Sequence, residues 1–193
     1  MKVKVFCLTD KKYLKTTTVE AFFASITENR SLYWVDIVRP DLPRLEKFMS
    51  PLKLHPQIMD EYRDPAAGSH IASYEQTLFI KLPIQLGWDN INRDHLSIIC
   101  LPRAIITIHD SPVSVLENIT KEFSAAVRFH SRSTSAILYQ MLDRLIDENM
   151  AFVLETRRQI ESMDEAFDQQ ADAVQIDQIL ALKPCVACLS ITL

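Results

Sequence analysis

From Ser135 to Phe167, apolar residues return every three or four positions. They fall at Leu138, Met141 or Leu142, Leu145, Phe152, Val153, Ile160, Met163 and Phe167, with no glycine or proline between them. This spacing keeps one apolar stripe on one side of an α-helix, while charged residues fill the other faces. At about 1.5 Å per residue, such a helix exceeds roughly 45 Å, longer than a compact domain requires. A helix that outruns its own domain packs on something else, and a sister subunit is one such surface.

The preceding residues follow a different period. Lys2 to Leu8 alternates polar and apolar, as a half-buried strand does. Leu32–Ile37 is rich in aromatic and branched residues, and further strands are predicted at His70–Tyr74, Thr77–Leu86, His95–Leu101 and Ala104–His109. Only Pro102 and Arg103 separate the last two, which predicts a hairpin. Helices are predicted over Val19–Ile26, where three preceding threonines offer N-caps, and over Asp41–Met49. Another starts at Pro56, since the first turn does not need the missing N–H. Asp64 to Gly68 is turn chemistry. Ser111 reads as the N-cap of a helix carrying Val113, Leu116, Ile119 or Thr120, Phe123 and Val127.

These patterns predict an α+β fold, a mixed β-sheet flanked by helices as an αβα sandwich over residues 1–130. A long helix or helical hairpin follows over 131–183, and an irregular tail over 184–193. A further short helix through Ile179, Leu180 and Leu182 is expected to stop at Pro184.

Composition removes several functions. The chain has 193 residues, 48% of them hydrophobic and 24% charged, which is globular. It has only two glycines, Gly68 and Gly87, so neither a phosphate-cradling loop nor a dinucleotide fingerprint can be built. A net charge of −4 argues against nucleic acid. Met1 opens directly into the first strand, with no signal peptide pattern, and no apolar run reaches the roughly 20 residues a membrane helix needs. Cys7 and Cys100 sit in strand-like runs and read as small hydrophobes in a reducing cytoplasm. Cys185 and Cys188 form a lone CxxC pair, and a zinc site would need two more ligands. There is no Gly-x-Ser-x-Gly elbow and no His-Glu-x-x-His; His109, Asp110 and Ser111 are triad types, but adjacency is not triad geometry. The expectation is that the chain is not an enzyme.

One segment concentrates chemistry. Trp34-Val35-Asp36 forms a strand, and His55-Pro56-Gln57-Ile58-Met59-Asp60-Glu61 opens a helix that ends near Asp64. A histidine before proline is held extended and can cap the helix that follows. Asp60, Glu61 and Asp64 offer carboxylate oxygens of the kind hard divalent cations take. Asp60 and Glu61 also suit a helix N-terminal turn through its macrodipole. Asp143, Asp147 and Glu148 share one helical face, either solvated or turned toward a neighbouring subunit.

The order of these pieces resembles the cytoplasmic half of CorA-type divalent-cation transporters. A tryptophan–aspartate strand precedes a His-Pro helix start. A strand like Thr77–Leu82 follows, then a hairpin like Leu96–Ile99 with Ile105–His109. Leu142–Asp147 and Ile160–Glu165 resemble the family's long helix. The resemblance implies a regulatory domain that senses divalent metal ions weakly, with Asp60, Glu61 and Asp64 as metal residues. Mg2+ is the default ion, and Co2+ or Zn2+ the alternatives. It implies a pentameric homo-oligomer in the full-length protein, and a monomer or weak oligomer for these residues alone. It places the domain on the cytoplasmic face of a membrane crossed by later segments. The family's stalk helix continues where Pro184 follows Leu182 and Lys183 here, and neither the membrane helices nor the Gly-Met-Asn pore signature falls in these residues. A standalone adaptor or binding module on the same fold is the rival reading, and a small-molecule enzyme the third.

Overall fold

The computed structural model describes residues 1–26, 31–64, 69–84 and 94–169. Among these residues, seven strands form one mixed sheet: β1 (Lys2–Leu8), β2 (Leu14–Thr17), β3 (Leu32–Val38), β4 (His70–Tyr74), β5 (Thr77–Ile84), β6 (Asp94–Cys100) and β7 (Ala104–His109). Their spatial order is β2-β1-β3-β7-β6-β5-β4. Every neighbouring pair is antiparallel except β3 and β7, which run parallel with Asp36 opposite Thr107. Among the described residues, five α-helices accompany the sheet: α1 (Val19–Ile26), α2 (Leu42–Met49), α3 (Pro56–Arg63), α4 (Ser114–Ala125) and α5 (Thr134–Gln169). The expected α+β class holds. β2 lies in a stretch that reads as polar in sequence; pairing with β1 makes it a strand.

Alternation along the strands divides the sheet's faces. Val5, Tyr33, Val35, Ile37, Phe79, Ile99, Ile106 and Ile108 point to one face. There they meet Phe22 of α1, Leu45 and Met49 of α2, and Ile58 of α3. Trp34, Asp36, Ile105 and Thr107 alternate with them on the central strands and point the other way. α4 buries Val115, Leu116, Ile119 and Phe123, and the start of α5 buries Ala136, Ile137 and Met141.

Local chemistry explains most boundaries. Thr18 Oγ1 accepts the N–H of Ala21 at 3.2 Å and caps α1. Asp41 caps α2 by accepting from Arg44 N at 3.1 Å. Ser133 Oγ accepts from Ala136 N at 3.1 Å at the start of α5. One expectation needs correction. Ser111 does not cap α4, which begins at Ser114 behind Val113 with no side-chain cap and ends at Ala125, before Val127. The backbone of Ser111 is already committed. Its N–H donates to Asp94 Oδ2 at 3.0 Å, and its carbonyl faces His109 Nδ1 at 2.5 Å.

Two residues, Glu75 and Gln76, join β4 to β5, since Tyr74 pairs with Thr77. Tight hairpin turns of this length favour positive φ, and Glu75 has φ 51. A side chain there costs about 1–2 kcal/mol in the left-handed region. Glu75→Gly is therefore expected to stabilise the domain by about 0.5–1 kcal/mol, net of glycine's greater unfolded-state entropy. Urea denaturation would check it through a raised midpoint at unchanged slope.

The chain divides into two compact units. One comprises Met1–Ile84 with Asp94–Leu142, and the rest of α5 belongs to the other. In the 36 residues of α5 the expected uninterrupted helix is present. The expected helix near Ile179, the break at Pro184 and the Cys185–Cys188 pair lie outside the described residues.

Candidate functional site

Helix α3 carries the His-Pro-x-x-x-Asp-Glu segment and is held at both ends. At its start, His55 Nδ1 accepts the N–H of Gln57 at 3.4 Å, the expected cap. The His55 ring stacks on Tyr74 of β4, centroids 4.8 Å apart and nearly parallel. At its end, Lys81 reaches up from the middle of β5. Its Nζ donates to three carbonyl oxygens: Asp64 at 2.5 Å, Glu61 at 3.3 Å and Tyr62 at 3.5 Å. Lys81 is only 4% exposed, so these carbonyls replace its water. Burial lowers its pKa, and the nearby charge of Asp64 opposes the fall. A cation at a helix C-terminus is also favoured by the macrodipole. Tyr62 packs inward, and burial, with Asp110 and Asp94 adding, pushes its pKa up to about 12.

The three predicted acids take different positions. Asp60 is exposed and pairs with Arg63 at 3.2 Å; Arg63 also bonds to Glu46 of α2. Glu61 turns toward β4. Its Oε1 accepts from the Tyr74 hydroxyl and stands 3.2 Å from His70 Nε2. Accepting that bond, the Glu61 carboxylate holds the Tyr74 phenol above its ordinary pKa. Asp64 follows the last turn, where its N–H donates to Asp60 O at 3.1 Å. Among the described residues, no three His, Cys, Asp or Glu side chains converge as a metal cage. Asp143, Asp147 and Glu148 are exposed on α5.

A second polar cluster is buried along the parallel strand pair. Trp34 Nε1 donates to Thr107 Oγ1 at 3.0 Å, and Thr107 Oγ1 donates to Asp36 Oδ1 at 2.7 Å. His109 Nε2 lies 2.9 Å from that same carboxylate oxygen. Asp36 and His109 are 6% and 4% exposed. Each imidazole nitrogen of His109 faces an acceptor, Asp36 on one side and the Ser111 carbonyl on the other. The doubly protonated ring satisfies both. Burial alone pulls the His109 pKa down, but the hydrogen bond and charge of Asp36, the Ser111 carbonyl and Asp94 outweigh it. The net shift is upward. This cluster joins strands and its side chains are buried, so we assign it to stability.

Sequence reasoning singled out Trp34, Asp36 and the α3 acids but missed what binds them. Lys81, in the apolar run Phe79-Ile80-Lys81-Leu82, and Thr107, in Ile106-Thr107-Ile108, were the available signals. A charged or hydroxyl residue inside a buried strand implies a specific partner. Burial pushes the Cys100 thiol up to about 12, which disfavours the thiolate a nucleophile needs.

The family model described as CorA-like Mg2+ transporter protein matches residues 29–189. No curated protein matches the chain in sequence. Among solved structures, full-length CmaX is similar at a TM-score of 0.82 and 13% identity, over 98% of this chain and 59% of that one. The complete CorA magnesium transporter of Methanocaldococcus jannaschii is similar at 0.69 and 14%, over 100% and 59%. The ZntB cytoplasmic domain of Vibrio parahaemolyticus is similar at 0.67 and 11%, over 94% and 72%. At these identities the likeness establishes the fold. The chain spans about three fifths of the full-length proteins it resembles.

Proposed function

The chain belongs to the CorA-like Mg2+ transporter family, and from that premise we propose that it is the cation-sensing, cytoplasmic part of a divalent-cation transporter. The match of the family model over most of the chain carries this reading. In it, the pore belongs to segments outside these 193 residues; among the described residues no helix is long and apolar enough to cross a membrane. Asp60, Glu61 and Asp64 form a weak regulatory site for Mg2+, with Co2+ or Zn2+ as alternatives. α3 suits that role because Lys81 and His55 fix its two ends while Asp60 stays open to solvent. The full-length protein works as a homo-oligomer. The exposed Ile146, Met150, Leu154 and Ile160 of α5 support that part of the reading, since large apolar side chains on one helix favour a partner surface.

Thermal unfolding across Mg2+ concentration tests the site. A ligand that binds only the folded state stabilises it by about 1.4 kcal/mol at ten times its Kd. For carboxylates that leave most of the Mg2+ shell to water, the Kd is expected to be on the order of a millimolar. The stabilisation is expected to vanish in the Asp60→Ala, Glu61→Ala double variant. A Mg2+ response that survives in the double variant would remove these acids from the reading.

A further inference from the structure

Three segments meet at one end of the sheet. Leu78 pairs with Cys100, so the β4–β5 turn and the β6–β7 turn lie side by side. The first turn of α5, which belongs to the same compact unit, joins them in lining a cleft of about 340 Å3. Sites for small ligands run from about 300 to 1,000 Å3, with apolar walls and a few polar groups. Here the half-buried Leu78, Leu101 and Leu138 supply the apolar wall. Gln76, Thr77, Thr134 and Ser135 supply an amide and three hydroxyls, and Glu75 is the one charged side chain of the lining. Among the described residues, none of these five polar side chains has a hydrogen-bond partner in the chain.

We propose that this cleft binds a small, neutral, polyhydroxylated ring, a monosaccharide or a cyclitol. No acid of α3 lines it, so the proposal is independent of the cation-sensing reading. Charge selects the ligand class. No Lys or Arg lines the cleft, which leaves a carboxylate or phosphate without a side-chain counter-ion. Glu75 favours a cation, but the first turn of α5 carries the positive end of the helix macrodipole and opposes one. A neutral ligand suits both. Hydrogen bonding then selects the surface of that ligand. The Glu75 carboxylate accepts from neighbouring hydroxyls on its two oxygens, while the Gln76 amide and the Thr and Ser hydroxyls both donate and accept. The three leucines take the C–H face of the ring. Glu75 points the same way through its backbone. It holds φ 51, a conformation that glycine adopts without steric cost. Residues kept in such sparsely populated regions cluster at ligand sites, and this one carries the charge of the cleft.

An amide-resolved NMR titration of the full chain tests this, with D-glucose and myo-inositol as probes. Cyclohexanol is the control, a ring with one hydroxyl. At least one probe is expected to give saturable shifts concentrated on the amides of Gln76 to Leu78, Leu101 and Thr134 to Leu138, and cyclohexanol none. Glu75→Gln is expected to weaken that probe about tenfold, the effect of losing a charged acceptor. Glu75→Gly is expected to weaken it at least as much while raising the urea midpoint, which separates loss of the site from loss of the fold. The Mg2+ response of both variants is expected to match that of the parent. No saturable shift with either probe, or shifts centred away from the cleft, would overturn the proposal. So would affinity unchanged within about twofold in both Glu75 variants. Equal shifts with cyclohexanol would make the cleft an apolar groove without selection for hydroxyls and overturn it as well.

Discussion

Asp36→Ala is expected to destabilise the domain by about 3–5 kcal/mol, the range for removing one member of a buried ion pair. The substitution strips His109 of the carboxylate 2.9 Å from Nε2 and leaves the Thr107 hydroxyl without its 2.7 Å acceptor. Chemical denaturation at neutral pH measures it. Asp36→Ala together with His109→Leu is expected to cost less than the two single changes added, because no charge is left stranded. The pair also gives stability a pH dependence. The folded-state pKa of His109 lies above the ordinary 6.5, so its contribution is fully present below that value. It is lost as pH rises through the folded-state pKa. In the Asp36→Ala variant this alkaline loss is expected to flatten. A wild-type profile with no such loss would mean that the imidazole is neutral in the fold.

Lys81→Met is the second large effect, an expected loss of about 2–3 kcal/mol. It nearly conserves volume, so packing changes little. What disappears is a charged donor serving the carbonyls of Glu61, Tyr62 and Asp64, and hydrogen bonds to charged groups contribute about 1.5–3 kcal/mol. The carbonyls that lose this charged donor carry much of that cost. The variant should also loosen the last turn of α3. Amide exchange of Tyr62, Arg63 and Asp64 is expected to accelerate more than that of α2. Uniform acceleration across both helices would instead indicate that Lys81 acts only on global stability.

Much of the fold was legible in the sequence because local signals agreed with tertiary ones. α1 occupies the predicted Val19–Ile26, and β7 the predicted Ala104–His109. Both are short, strongly patterned and flanked by turn or cap residues. β2 was not legible, since Leu14-Lys15-Thr16-Thr17 has one apolar residue and takes its conformation from β1. The start of α4 was misplaced because Ser111-Pro112 has capping chemistry, but the strand β7 extends its network through His109 to the Ser111 carbonyl. For the candidate site, the helix and its acids could be named from residue types. Their partners could not. Tyr74, His70 and Lys81 reach Glu61 or its backbone only after β4 and β5 pair and α3 lies across them, a non-local arrangement that no window of sequence contains.

The single parallel seam has a consequence for how the chain finds its structure. β1, β2 and β3 close one antiparallel ladder, and β4 to β7 close another. Joining them brings Val38 beside His109 across a long intervening stretch of chain. Loop closure of that length is entropically costly and slow, which places it late in folding. A slip of one residue at the seam would send Asp36 and Thr107 to opposite faces. The Trp34–Thr107–Asp36–His109 chain thus serves as a proofreading device: only the correct alignment satisfies all four side chains, and a misaligned collapse leaves a carboxylate buried without a donor.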